Sequence, residues 1–125
     1  MEPTLRGLRI LLVDDDPTVR GLYVVVLQQA GATVTSSGLA SEAVNLIDLE
    51  VPDAVVTDVQ MPTHDGIWLL REIKARLPGV PVIAVSGHID VVALVDLQRL
   101  GFADVLTKPL GLSELTKAVA RVVGR

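Results

Sequence analysis

Val55-Val56-Thr57-Asp58-Val59-Gln60-Met61-Pro62 decides the fold of this chain. An apolar run ends on a single aspartate, and a proline follows four residues later. Short apolar runs bounded by turn residues are candidates for fully buried strands. In open α/β sheets, ligands gather outside the carboxyl ends of the strands, and Asp58 stands at such an end. An aspartate placed there can act as a metal ligand, a base or a nucleophile.

Working outward, the same pattern recurs on both sides. Upstream, Arg9-Ile10-Leu11-Leu12-Val13 reads as a buried strand that ends in Asp14-Asp15-Asp16. Pro17 suits the first turn of a helix, where its missing N–H costs nothing. That helix is predicted to run to Ala30, with Gly31 as its stop. Ala32 to Thr35 reads as a short strand and Ser36-Ser37-Gly38 as a turn, followed by a helix over Leu39 to Leu49. Pro52-Asp53 then leads into the third strand, Ala54 to Thr57. Downstream, Gly66 to Leu77 has Ile67, Leu70, Ile73 and Leu77 at helical spacing. Val80 to Val85 is the fourth strand, closed by Ser86-Gly87-His88. A fourth helix spans Ile89 to Leu100, a fifth strand Ala103 to Thr107, and a last helix Leu112 to Val123.

Strands thus alternate with helices, which implies right-handed βαβ units and a parallel sheet covered on both faces. The expected fold is an α/β three-layer sandwich with five parallel strands and five helices. Residues 1–125 are expected to form one domain, with 1–7 a short leader. Half the residues are apolar, and Tyr23, Trp68 and Phe102 are the only aromatic ones, so the core must be aliphatic. A formal charge of −4 gives no support for direct nucleic-acid binding. The absence of cysteine excludes disulfides and thiolate metal sites. No apolar stretch is long enough to span a bilayer, and no signal-peptide core is seen, so a cytoplasmic protein is expected.

In a parallel sheet the ends of strands one, three, four and five share one edge. That edge would carry Asp14, Asp15, Asp16, Asp58, Ser86 and Lys108. Converging carboxylates repel one another and call for a cation. Hard oxygen ligands suit Mg²⁺, which takes one or two carboxylates together with phosphate oxygens. With a lysine ammonium and a serine hydroxyl, the set matches the needs of phosphoryl transfer.

On these residues the chain resembles a response-regulator receiver domain, the phosphoacceptor of two-component and phosphorelay signalling. The matching motifs are Val13-Asp14-Asp15-Asp16-Pro17, Asp58-Val59-Gln60-Met61-Pro62 with Asp65-Gly66, Val85-Ser86-Gly87 and Thr107-Lys108-Pro109. Each alone is weak, but all four in order at matching strand ends are highly specific. The resemblance implies a flavodoxin-like sheet with strand order 2-1-3-4-5, and it implies that Asp58 accepts a phosphoryl group from a histidine kinase or phosphotransfer protein. It implies Mg²⁺ (or Mn²⁺) held by Asp14, Asp15, Asp58 and the backbone carbonyl of Gln60. Ser86 would then bond a phosphoryl oxygen, Lys108 would pair with the acyl phosphate, and the bond to Pro109 would be cis. Such a protein is not an ordinary enzyme; it would catalyse only its own phosphorylation and dephosphorylation. Asp16 stands where the family often carries an acid, and it also suits a cap on the helix at Pro17. Gln60 and His88 occupy positions that would tune the phosphoryl lifetime. Val105 departs from the pattern: many receivers have an aromatic switch residue there, and a valine cannot perform its rotation. His64 reads as an ordinary loop histidine.

Two helices are more apolar than one buried stripe requires, Leu22 to Leu27 in the first and Ile89 to Leu100 in the fourth. The first is expected to meet the kinase or phosphotransfer partner. The fourth helix, fifth strand and fifth helix would carry a homodimer or output contact. A rival reading takes Val13-Asp14-Asp15-Asp16-Pro17-Thr18 as the haloacid-dehalogenase phosphatase signature, with Asp14 the nucleophile and Asp16 the general acid. It leaves Asp58 unexplained and finds only Glu114, on a helix, as an acid after Lys108. A flavodoxin-type binding module would want Gly, Ser or Thr after the first strand, since carboxylates repel phosphate. A non-phosphorylated scaffold receiver would not need the full acid, serine and lysine set.

Overall fold

Five short runs, apolar except at the β2 edge, pair side by side as parallel strands, in a computed structural model that describes residues 4–87 and 91–125, the side chains of 91 and 92 excepted. The strands are β1 (Arg9–Val13), β2 (Thr33–Ser37), β3 (Ala54–Asp58), β4 (Val82–Ser86) and β5 (Asp104–Thr107). The helices are α1 (Pro17–Gln29), α2 (Ala40–Leu49), α3 (Gly66–Arg76), α4 (Val91–Leu100) and α5 (Leu112–Val122). The sheet order is β2-β1-β3-β4-β5, the order that the family resemblance implies. His88 and Ile89, and with them the predicted start of the fourth helix, lie outside the described residues.

Every residue of β3 and β4 is buried, as parallel strands covered on both faces require. Successive side chains point to opposite faces. Ile10, Leu12, Val56, Ile83 and Val85 therefore face α1 and α5, meeting Leu27, Leu115 and Val119. Leu11, Val13, Val55, Val82 and Ala84 face α2, α3 and α4, meeting Ile47, Leu69, Ile73 and Leu97. Both cores are largely aliphatic, although Tyr23 and Phe102 are buried at their edges.

Two boundaries move by two residues for physical reasons. Ser36 and Ser37, read above as a turn, continue β2 because Leu12 and Val13 need parallel partners. The turn begins at Gly38, and the buried Ser37 hydroxyl both donates to the Leu39 carbonyl (3.0 Å) and accepts from its N–H (3.1 Å). β4 starts at Val82 rather than Val80, because the Val80 N–H closes the preceding turn on the Leu77 carbonyl (3.0 Å). Within the stretch read as a leader, Leu5 is fully buried and its N–H donates to Ala30 at the end of α1 (2.8 Å).

The apolar excess of α1 divides between two environments. Tyr23 and Leu27 are core, while Leu22 and Val25 are about half exposed. In α4, Leu97 is buried and Leu100 exposed, with Ala93, Leu94 and Val95 between.

Candidate functional site

The registers place the strand ends side by side. Val13 pairs with Thr57, Asp58 with Val85, and Ser86 with Thr107. Asp14, Asp58, Ser86 and Lys108 consequently share one edge of the sheet. Asp14, Asp58 and Ser86 are each less than a tenth exposed.

Asp14 is fixed on every polar atom. Its N–H donates to the Ser37 carbonyl (3.1 Å), which carries the β1–β2 ladder one step past the strand. Its carboxylate accepts from the Asp16 N–H (2.9 Å) and from Lys108 Nζ (3.2 Å). Its carbonyl accepts from Arg20 Nη1 (2.7 Å). Asp16 does different work. Its Oδ1 accepts from the N–H groups of Thr18 (2.9 Å) and Val19 (3.2 Å), capping α1 where the orphan donors of the first turn need an acceptor. The dehalogenase reading required that carboxylate as a general acid.

Asp58 closes β3 with its carboxylate toward Asp14. Oδ2 accepts from Lys108 Nζ (3.2 Å), and Oδ1 lies 3.4 Å from the Gln60 N–H. The next peptides are held between strand and helix: Val59 N–H donates to the Val85 carbonyl (3.0 Å) and Gly66 N–H to the Val59 carbonyl (2.8 Å). Gly66 is there because nothing else fits. A Cβ at that position would sit 2.4 Å from the Asp58 carbonyl oxygen. Asp65 then caps α3 by accepting from the Trp68 N–H (2.9 Å). His64 stacks on Trp68 with ring centroids 3.9 Å apart.

Lys108 leaves β5 with its N–H on the Ser86 carbonyl (2.9 Å), and its peptide with Pro109 is cis. Its ammonium bridges Asp14 and Asp58. Burial alone would lower the lysine pKa, but the two carboxylates more than offset this and hold it above its ordinary value. Asp58 is raised above the usual carboxylate range. Burial is the largest cause; the nearby Lys108 opposes it and the Asp14 charge reinforces it.

Asp14, Asp15 and Asp58 each offer an oxygen, and the three lie within 4.8 Å of one another. Three hard anionic oxygens at this spacing fit a small divalent cation such as Mg²⁺. Of the remaining predicted residues, the Gln60 side chain is exposed and Val105 is half-buried in β5. His88 lies outside the described residues. The sequence reading missed Arg20. The available signal was its place at the end of the first turn of α1, where a long side chain can reach back to the strand end.

A family model for the response regulator receiver domain matches residues 10–120. The chain is 35% identical over 118 residues to the DNA-binding transcriptional regulator NtrC of Escherichia coli, covering 94% of this chain and 25% of that protein. The chain thus spans about a quarter of the length of that relative. It is 38% identical to an uncharacterised 14.6 kDa protein of Leptolyngbya boryana, over 93% of this chain and 90% of that one. Among solved structures it is similar to a putative response regulator from Chloroflexus aurantiacus, with a TM-score of 0.89 at 30% identity, covering 96% of this chain and all of that one.

Proposed function

The chain belongs to the response regulator receiver domain family of two-component signalling, and on that premise we propose that it is a phosphorylation switch with Asp58 as phosphoacceptor. The observation that carries this reading is the ammonium of Lys108 at 3.2 Å from both Asp14 and Asp58, beside a third carboxylate. A cluster of this charge is built for a cation and for an incoming dianion together, and a plain structural ion pair needs only one acid.

Asp14, Asp15 and Asp58, with the Gln60 carbonyl, would hold Mg²⁺. When bound, that ion neutralises the acids and the equatorial phosphoryl oxygens. An Asp58 carboxylate oxygen attacks phosphorus of the donor's phosphohistidine or of a small phosphodonor. The bond from phosphorus to the leaving atom breaks, and its electron pair departs with the leaving group. Lys108, already within reach of Asp58, pairs with the phosphoryl oxygens, and the buried Ser86 hydroxyl donates to another. In the reverse sense water attacks the acyl phosphate, restores the carboxylate and releases inorganic phosphate; substitutions at Gln60 and His88 would change that rate. Phosphorylation shifts an equilibrium between two conformations and so changes partner affinity.

A histidine kinase or phosphotransfer domain would dock on α1, where Leu22 and Val25 are half exposed. A homodimer or output contact would use α4, β5 and α5. With Val105 in place of an aromatic switch, Ser86 couples to that face through a smaller side chain. The test is intact mass after incubation with Mg²⁺ and a small phosphodonor. A labile phosphoryl adduct on the wild-type chain that is absent from Asp58→Ala supports the reading. An adduct that survives in Asp58→Ala and disappears in Asp14→Ala would replace it with the phosphatase chemistry.

A further inference from the structure

We propose that Arg20 is a positioning residue of the acidic site, and that Gly38 exists to leave room for it; the inference rests on the Mg²⁺ site proposed above. Arg20 is half-buried on α1, one turn from the cap at Asp16. Its Nη1 donates to the Asp14 carbonyl at 2.7 Å, a charge-assisted hydrogen bond. Among the described residues it has no carboxylate within ion-pair distance, so the Asp14 carbonyl is the acceptor that its guanidinium reaches.

The Asp14 carbonyl belongs to the peptide that joins Asp14 to Asp15. Rotation of that peptide would swing the two carboxylates relative to each other. The other contacts of Asp14 hold its N–H and its side chain. Arg20 supplies the restraint on the far end of the residue, where the chain turns toward Asp15. It thereby sets the spacing that a divalent cation must find ready-made, since Mg²⁺ tolerates little departure from its preferred geometry.

Gly38 is the second observation. A Cβ built on it would lie 2.8 Å from Arg20 Nη1 and 3.8 Å from the Asp14 carbonyl oxygen. Gly38 does not adopt a left-handed φ, so its backbone makes no demand for glycine. The contact is steric: a Cβ there would push the guanidinium, the movable end of its side chain, away from its place on the Asp14 carbonyl. The start of the β2–α2 loop, the first turn of α1 and the end of β1 thus meet at one guanidinium.

The experiment is Mg²⁺ affinity by calorimetry on the full chain, with thermal stability in chelator measured in parallel. Wild type binds Mg²⁺ and Asp14→Ala does not. Arg20→Ala weakens binding about tenfold or more, the usual effect of losing a partner that orients a metal ligand. Gly38→Ala, which keeps the arginine but displaces it, weakens binding in the same direction. The double variant is no weaker than the worse single one, because both remove the same restraint. Arg20→Lys restores part of the affinity. If wild type binds Mg²⁺ and both single variants bind it equally well, the positioning role is wrong while the metal site stands. If the two losses add in the double variant, Gly38 acts independently of Arg20 and the inference also fails. If wild type binds no Mg²⁺, the underlying site reading is what falls. Should Arg20→Ala fail to fold, Gly38→Ala alone decides: unchanged affinity overturns the proposal.

Discussion

Replacing Lys108 with alanine should convert the site from a balanced cluster into one that demands a cation. The ammonium lies 3.2 Å from carboxylate oxygens of both Asp14 and Asp58. At an effective dielectric of about 20, each contact is worth about 5 kcal/mol of gross attraction. Asp14 and Asp58, within 4.8 Å of each other, repel by about 3.5 kcal/mol on the same scale. The lysine therefore more than offsets the mutual repulsion of its partners, and its loss leaves that repulsion unopposed. The full gross sum is not felt, because the carboxylates take up a proton or water once the ammonium is gone. Removing one partner of a buried pair costs about 3–5 kcal/mol, and the lysine's partial exposure lowers the expected loss to about 2–3 kcal/mol. Urea denaturation at neutral pH in chelator is the assay. The Lys108→Ala chain should unfold at lower urea with an unchanged slope. Saturating Mg²⁺ should then stabilise the variant more than wild type, since a cation fills a site with no competing ammonium. Equal midpoints in chelator would refute this electrostatic balance, as would a larger Mg²⁺ effect on wild type.

Burial holds the Asp58 pKa up, so between the ordinary carboxylate value and the raised one the native state binds more protons than the unfolded state. Its contribution to stability is present at low pH and lost as pH rises through that window. In chelator, Asp58→Asn should flatten this slope and raise neutral-pH stability by about 1 kcal/mol, read by denaturation at several pH values. Gly66→Ala would force a methyl against the Asp58 carbonyl and should cost about 3 kcal/mol by the same method. Asp16→Ala should cost about 1 kcal/mol through loss of the α1 cap while leaving Mg²⁺ affinity by calorimetry unchanged, which separates a capping acid from a ligand.

The parallel sheet was legible because β3 and β4 are buried on both faces and so read as continuous apolar runs. The edge strand β2 was legible as a strand but not in its extent. Its residues Thr33 to Ser37 are largely polar, and its extent follows from pairing with Leu12 and Val13, which no local pattern records. The same holds for Leu5, whose burial depends on docking against the end of α1. At the site, the acids, Ser86 and Lys108 were visible because strand ends in a parallel sheet must converge. What Asp16 does depended on which of two roles its side chain takes, and hydrogen bonds to Thr18 and Val19 decide it. Arg20 was missed because its partner is a backbone carbonyl, so that only its place one turn into α1 hinted at the contact. Gly38 looked like ordinary turn chemistry until the guanidinium was seen in its place.

The most direct measurement on the central claim is to trap the phosphorylated chain with borohydride and map the product by peptide mass spectrometry. An aspartyl phosphate is reduced to homoserine at the acceptor position. The account predicts homoserine at position 58 and none at 14, 15 or 16. Homoserine at position 14 with residue 58 unchanged would contradict it.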